Sequence, residues 1–117
     1  MQFNEIQLSG EMLKAIDQIG YTDMTEIQEK SIPVILSGRD IIGRSNTGTG
    51  KTAAFGIPAV ENICRENNGK VQTLILCPTR ELAVQAAEEI KKYSGLCLGL
   101  RYQPFTAAQA WIVRFMN

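Results

Sequence analysis

The chain has 117 residues, 44% of them hydrophobic and 21% charged, which suits one small globular core and excludes both a two-domain protein and a disordered one. Twelve basic residues balance twelve acidic ones and histidine is missing, which excludes a basic field that draws the whole chain to nucleic acid and any histidine-based catalysis. The cysteines Cys64, Cys77 and Cys97 form no CxxC pair, so buried free thiols are expected, and without a bilayer-length apolar run or an apolar leader the expected location is cytoplasmic, with no membrane partner.

Taken in chain order, Ser9 is a good N-cap for a helix over 11–19, with Met12, Leu13, Ile16 and Ile19 on one face and Gly20 as its stop. Thr25 followed by Gln28 has the spacing of a capping box and opens a second helix that runs to Leu36, with Pro33 inside it. Residues 40–43 read as a short strand. It leads into the glycine-rich loop Ser45, Asn46, Thr47, Gly48, Thr49, Gly50, Lys51, Thr52, and an apolar helix follows to about Cys64. After the polar connector 66–70, residues 71–77 read as a buried strand, because Leu74, Ile75, Leu76 and Cys77 form a continuous apolar run. Pro78 ends it, and Thr79 caps a helix from Arg80 to about Tyr93, with Leu82, Ala83, Ala86 and Ile90 on one face. Strands alternating with helices imply an α/β fold with a parallel sheet flanked by helices.

The loop carries the chemistry. A triphosphate needs many donors close together; glycines let backbone N–H groups approach it, and the following helix offers its positive end. Gly48 and Gly50 supply the approach, Lys51 the charge for the β and γ phosphates, and Thr52 a hydroxyl ligand for Mg²⁺. Ser45 stands where the pattern usually begins with glycine or alanine, and it is small enough to serve.

Three segments together resemble the DEAD-box RNA helicase family. Phe3 followed by the stretch from Gly20 to Gln28 is similar to the family's Q motif with its upstream aromatic, residues 44–52 are similar to motif I, and Pro78-Thr-Arg-Glu-Leu-Ala83 matches motif Ia, with Gln85 after it. The resemblance implies an incomplete RecA-like P-loop domain over 1–94. It implies that ATP and Mg²⁺ are bound, with Phe3 covering the adenine, Gln28 reading it through a paired donor and acceptor, and residues 45–52 holding the phosphates. Thr79 and Arg80 would face the backbone of single-stranded RNA, a contact that positions without selecting sequence. Met24 replaces the family's usual proline, and Ser45 and Asn46 its alanine and glutamine.

The last aspartate of the chain is Asp40, upstream of the phosphate loop, so the acidic strand that holds Mg²⁺ and orients water in this class has no counterpart here. No catalytic residue is therefore assigned, and the family's second RecA-like domain is a missing partner. Beyond about Ser94 the resemblance fades. Reading the codons from the third base of Phe105 permits a tyrosine followed by two glycines and forces an aspartate where Trp111 meets Ile112, which resembles the family's continuation. Residues 95–117 are thus expected to be a divergent, frameshifted tail. Two other readings stay open: a folding-defective product without activity, and a stand-alone P-loop nucleotide-binding module.

Overall fold

Helix α1 (Gly10–Ile19) starts where the sequence places its cap. The Met12 N–H donates to Ser9 Oγ at 3.2 Å, and Gly20 ends the helix at a φ of 94°, a left-handed turn that a side chain would strain. Thr25 and Gln28 then form the expected capping box at the start of α2 (Glu26–Leu36): the Thr25 N–H donates to Gln28 Oε1 at 3.0 Å, and the Gln28 N–H to Thr25 Oγ1 at 3.4 Å. Pro33 is accommodated inside α2. The computed structural model describes residues 1–46, 50–65, 71–93, 101–107 and 110–116, with side chains through Tyr93 apart from Val71. Thr47, Gly48, Thr49 and Cys97 lie outside the described residues.

Helices α3 (Lys51–Arg65) and α4 (Arg80–Tyr93) make the core. Ala53, Ile57, Val60 and Ile63 of α3 meet Ala83, Ala86, Ala87, Ile90 and Tyr93 of α4, and Met12, Ile16, Met24, Ile32 and Phe3 close over them. Gly56 lets the two helices approach: a Cβ there would lie 2.9 Å from Ile90 Cγ1, closer than packed atoms tolerate. Leu82, expected on the buried face of α4, is instead 46% exposed, because the small residues Ala83, Ala86 and Ala87 turn that face toward α3.

The α/β character holds, but the sheet differs from the expected one. Residues 40–43 form no strand, and Ile42 is 99% exposed. The strand β1 (Val71–Cys77) pairs instead with the tail, in the order β1-β3-β2, with β2 at Arg101–Ala107 and β3 at Ala110–Met116. Both pairings are antiparallel; Leu74 faces Arg114 and Cys77 faces Trp111 across β1 and β3. The reason is physical: an extended segment is stable only when its backbone groups find partners, and a β2–β3 hairpin needs only a short turn, whereas parallel neighbours need a long crossover. Nor is β1 buried on both sides. Leu74 and Leu76 are 55% and 65% exposed, while Ile75 and Cys77 face the helices. Burial pushes the free Cys77 thiol up from its usual range. Cys64, expected as a free thiol, is disulfide-bonded.

Candidate functional site

At the junction of α2 and the phosphate loop, Gln28 is nearly fully buried, and its side chain does two jobs. Its Oε1 accepts from Thr25, and its Nε2 donates to the Gly50 carbonyl at 3.2 Å. By valence one hydrogen on Nε2 and one lone pair on Oε1 remain, the donor and acceptor types that an adenine edge calls for. Gly50 has a φ of 86°, and a Cβ there would collide with Gln28 Nε2 and lie 3.1 Å from Thr25 Oγ1. The close contact between α2 and the loop therefore requires glycine twice over, for backbone conformation and for space.

Gly50 opens directly into α3, whose first turn bears Lys51 and Thr52. The leading N–H groups of a helix of this length have no partners within it and, with the helix dipole, favour an anion. Lys51 is exposed, and its Nζ donates to the Ser45 carbonyl at 2.6 Å, so the ammonium bridges the two ends of the loop it would serve. A phosphate there would exchange one oxygen acceptor for another on the same ammonium. The glycine cradle, the lysine and the helix end suit a polyphosphate. For Mg²⁺ the described residues provide the Thr52 hydroxyl, and no cluster of three acidic or cysteine side chains occurs among them.

Two clefts flank the loop. One of about 500 Å³ lies between the start of α2 and Arg44, Ser45 and Asn46. The other, of about 760 Å³, has Lys51, Thr52 and Ala53 on one wall, Leu82, Gln85, Glu88 and Glu89 of α4 on the other, and Tyr21 at its margin. Phe3 is placed differently from an exposed base-covering ring. It is 3% exposed and stacks on Tyr21 with ring centroids 6.4 Å apart, so of this pair it is Tyr21 that presents a surface. Thr79 and Arg80 are exposed at the start of α4. Thr79 Oγ1 already accepts from the Leu82 N–H at 3.2 Å, the cap expected of it.

Sequence reading missed one residue outright. Glu61 is buried at 2% exposure in the middle of α3, and its carboxylate accepts from the Ser9 N–H at 2.7 Å and the Ser9 hydroxyl at 3.0 Å. Arg65 completes the set at 3.1 Å. A charge at the positive end of α1 ties that helix to the phosphate-loop helix. The only signal was a glutamate at an apolar position of an otherwise regular helical stripe.

The description of the DEAD/DEAH box helicases matches residues 25–110. The chain is 53% identical over 90 residues to the ATP-dependent RNA helicase CshA of Limosilactobacillus reuteri, covering 77% of this chain and 18% of that protein. It is 52% identical over 94 residues to the DEAD-box ATP-dependent RNA helicase CshA of Geobacillus kaustophilus, covering 80% and 20%. Among solved structures, a DEAD box protein from Methanococcus jannaschii superimposes with a TM-score of 0.75 at 44% identity over 80% of this chain and 25% of the other. The chain thus spans about a fifth of the length of the curated relatives it matches. With the matched region running through the capping box, the phosphate loop and the motif at Pro78, the chain belongs to the DEAD/DEAH box helicase family.

Proposed function

We propose that this chain is an ATP-binding front portion of an RNA helicase core, with residues 1–94 forming the family-like part and 95–117 a divergent tail. The observation that supports this most is the bond from Gln28 to the Gly50 carbonyl, which joins the residue suited to an adenine edge to the loop suited to phosphates. A base read at Gln28 and a phosphate held at Lys51 would then be sensed by one rigid unit. Residues 45–52 cradle ATP or ADP, with Lys51 on the β and γ phosphates and the Thr52 hydroxyl on Mg²⁺. The CshA relatives are described as ATP-dependent RNA helicases, and by that kinship Thr79 and Arg80, with the leading amides of α4, contact the phosphates of single-stranded RNA.

Calorimetric titration tests this reading. ATP should bind more tightly than GTP, Gln28→Ala should erase that preference, and Lys51→Ala should remove binding of both. Equal affinity of the unaltered chain for ATP and GTP would defeat the role of Gln28. Because no aspartate follows Asp40, the chain as it stands should not turn ATP over with or without RNA, and RNA-stimulated phosphate release would refute that. A second reading, a poorly folding product, draws support from the exposed apolar face of β1, and a cooperative thermal melt would count against it.

A further inference from the structure

Tyr21 and Glu89 are 68 residues apart in sequence, yet they meet at the rim of the cleft that contains Lys51 and Thr52. The Tyr21 hydroxyl donates to Glu89 Oε1 at 3.2 Å. The Tyr93 hydroxyl, from a ring 2% exposed in the core, donates to the same oxygen at 2.7 Å. Lys92 approaches the other oxygen at 3.6 Å. Tyr93 thus fixes Glu89 from beneath, and Glu89 in turn fixes Tyr21 at the surface.

Tyr21 holds more than itself. It stacks on Phe3, and it begins the segment 21–25 that leads into Gln28. That segment has other anchors of its own: the Tyr21 N–H donates to the Ile16 carbonyl and the Met24 N–H to the Met1 carbonyl, Asp23 bridges to Gln2, and the Met24 side chain lies in the core, but none of these reaches the Glu89 carboxylate. The Tyr21–Glu89 bond is a direct tie from this segment to α4.

We propose that Glu89 is a positioning residue for the nucleotide site, holding Tyr21, and through it the segment that presents Gln28, against the helix that begins at Thr79 and Arg80. This rests on the reading above, and it goes beyond it in naming a residue on α4 that acts through its hydrogen bond to Tyr21. Both hydroxyls use one oxygen, so glutamine can reproduce the arrangement with its carbonyl while alanine cannot. That difference separates a hydrogen-bonding role from a requirement for charge or bulk.

The test has a ligand-free arm and a ligand arm. Amide hydrogen exchange should show peptides over 2–6 and 20–25 exchanging at least five-fold faster in Tyr21→Phe and Glu89→Ala, with α3 protection unchanged in Tyr21→Phe. Glu89→Gln should restore the exchange of the unaltered chain. Tyr21→Phe keeps the ring, the Phe3 stack and the Glu89–Tyr93 bond, so it remains informative if Glu89→Ala unfolds. In the ligand arm, the preference for ATP over GTP should fall three-fold or more in Tyr21→Phe and be retained in Glu89→Gln. Unaltered exchange over 20–25 in Tyr21→Phe would overturn the proposal, as would faster exchange with an unchanged nucleotide preference. If the unaltered chain binds neither nucleotide, the nucleotide reading falls and the positioning role falls with it, and the exchange arm then reports only the structural tie.

Discussion

At the scale of single residues, Gly50 is where the site is least forgiving. Its backbone sits at a φ of 86° and its missing Cβ leaves room for the Gln28 amide. Gly50→Ala adds a left-handed penalty of roughly 1–2 kcal/mol and forces Gln28 off its contact, so we expect nucleotide affinity to fall at least ten-fold while the helical circular dichroism persists. Unchanged affinity in titration would mean that the loop tolerates a side chain here. Glu61 is the second such residue. Glu61→Ala leaves the Ser9 N–H and hydroxyl without an acceptor, and lost hydrogen bonds to a charged group cost about 1.5–3 kcal/mol. A urea midpoint shift of that size, with most of the lost protection in α1, is the expected result. Tyr93 gives a pH dependence. Burial, then its bond to Glu89, raise the phenol pKa well above the ordinary 10.0. The unfolded chain therefore releases this proton near pH 10 while the folded one keeps it, so the stabilisation is complete below pH 10 and is lost as pH rises beyond it. Melting temperatures should drop above pH 10, and Tyr93→Phe should flatten that decline relative to the unaltered chain. Glu89 acts in the opposite range. Burial pushes its carboxyl up, but the bonds from Tyr93 and Tyr21 and the Lys92 charge outweigh this and hold it below 4.5, so its contribution is present above pH 4.5 and fades as pH falls through the lower folded value.

Elements obey balances that a single residue does not reveal. Gly56→Ala in α3 gains up to about 1 kcal/mol of helix propensity, yet its Cβ would press on Ile90 at 2.9 Å, and overpacking costs roughly 1–3 kcal/mol. The loss should win, with a net destabilisation of about 1 kcal/mol in chemical denaturation, and a stabilised variant would show that α4 slides freely along α3. The same contrast explains what the sequence disclosed. Caps are local: Ser9, the Thr25–Gln28 pair, Thr79 and the stop at Gly20 depend on neighbours three or four residues away, and all of them could be read directly. The start of α3 after the glycine-rich stretch was legible for the same reason, since Gly50, Lys51 and Thr52 stand within one turn. Residues 40–43 were not, because strand formation depends on partners far along the chain, and the segment carries no trace of which partner it will find. Glu61 was missed because its meaning lies in Ser9, 52 residues away. Leu74 and Leu76 were read as buried because an apolar run fits a strand covered on both faces, and nothing in the run tells which face the helices leave open.

For the molecule as a whole, that open face sets the behaviour in solution. The helices pack on the side of β1 that bears Ile75 and Cys77, leaving Leu74 and Leu76 more than half exposed on the other. In the strand order β1-β3-β2, β1 is at an edge of the described sheet, so exposed leucines adjoin a row of backbone groups that no described strand occupies. An apolar edge strand is a template for another chain. We therefore expect sedimentation coefficients to rise with protein concentration. Leu74→Lys together with Leu76→Lys should abolish that rise, because a lysine edge repels a second copy, while the melting temperature changes little since neither leucine is buried in the core. Nucleotide affinity should be unaffected, as both positions lie away from Gly50 and Lys51. A concentration-independent monomer in the unaltered chain would show that the face is covered in solution, and a large loss of stability in the double variant would show that these leucines are packed against the protein itself.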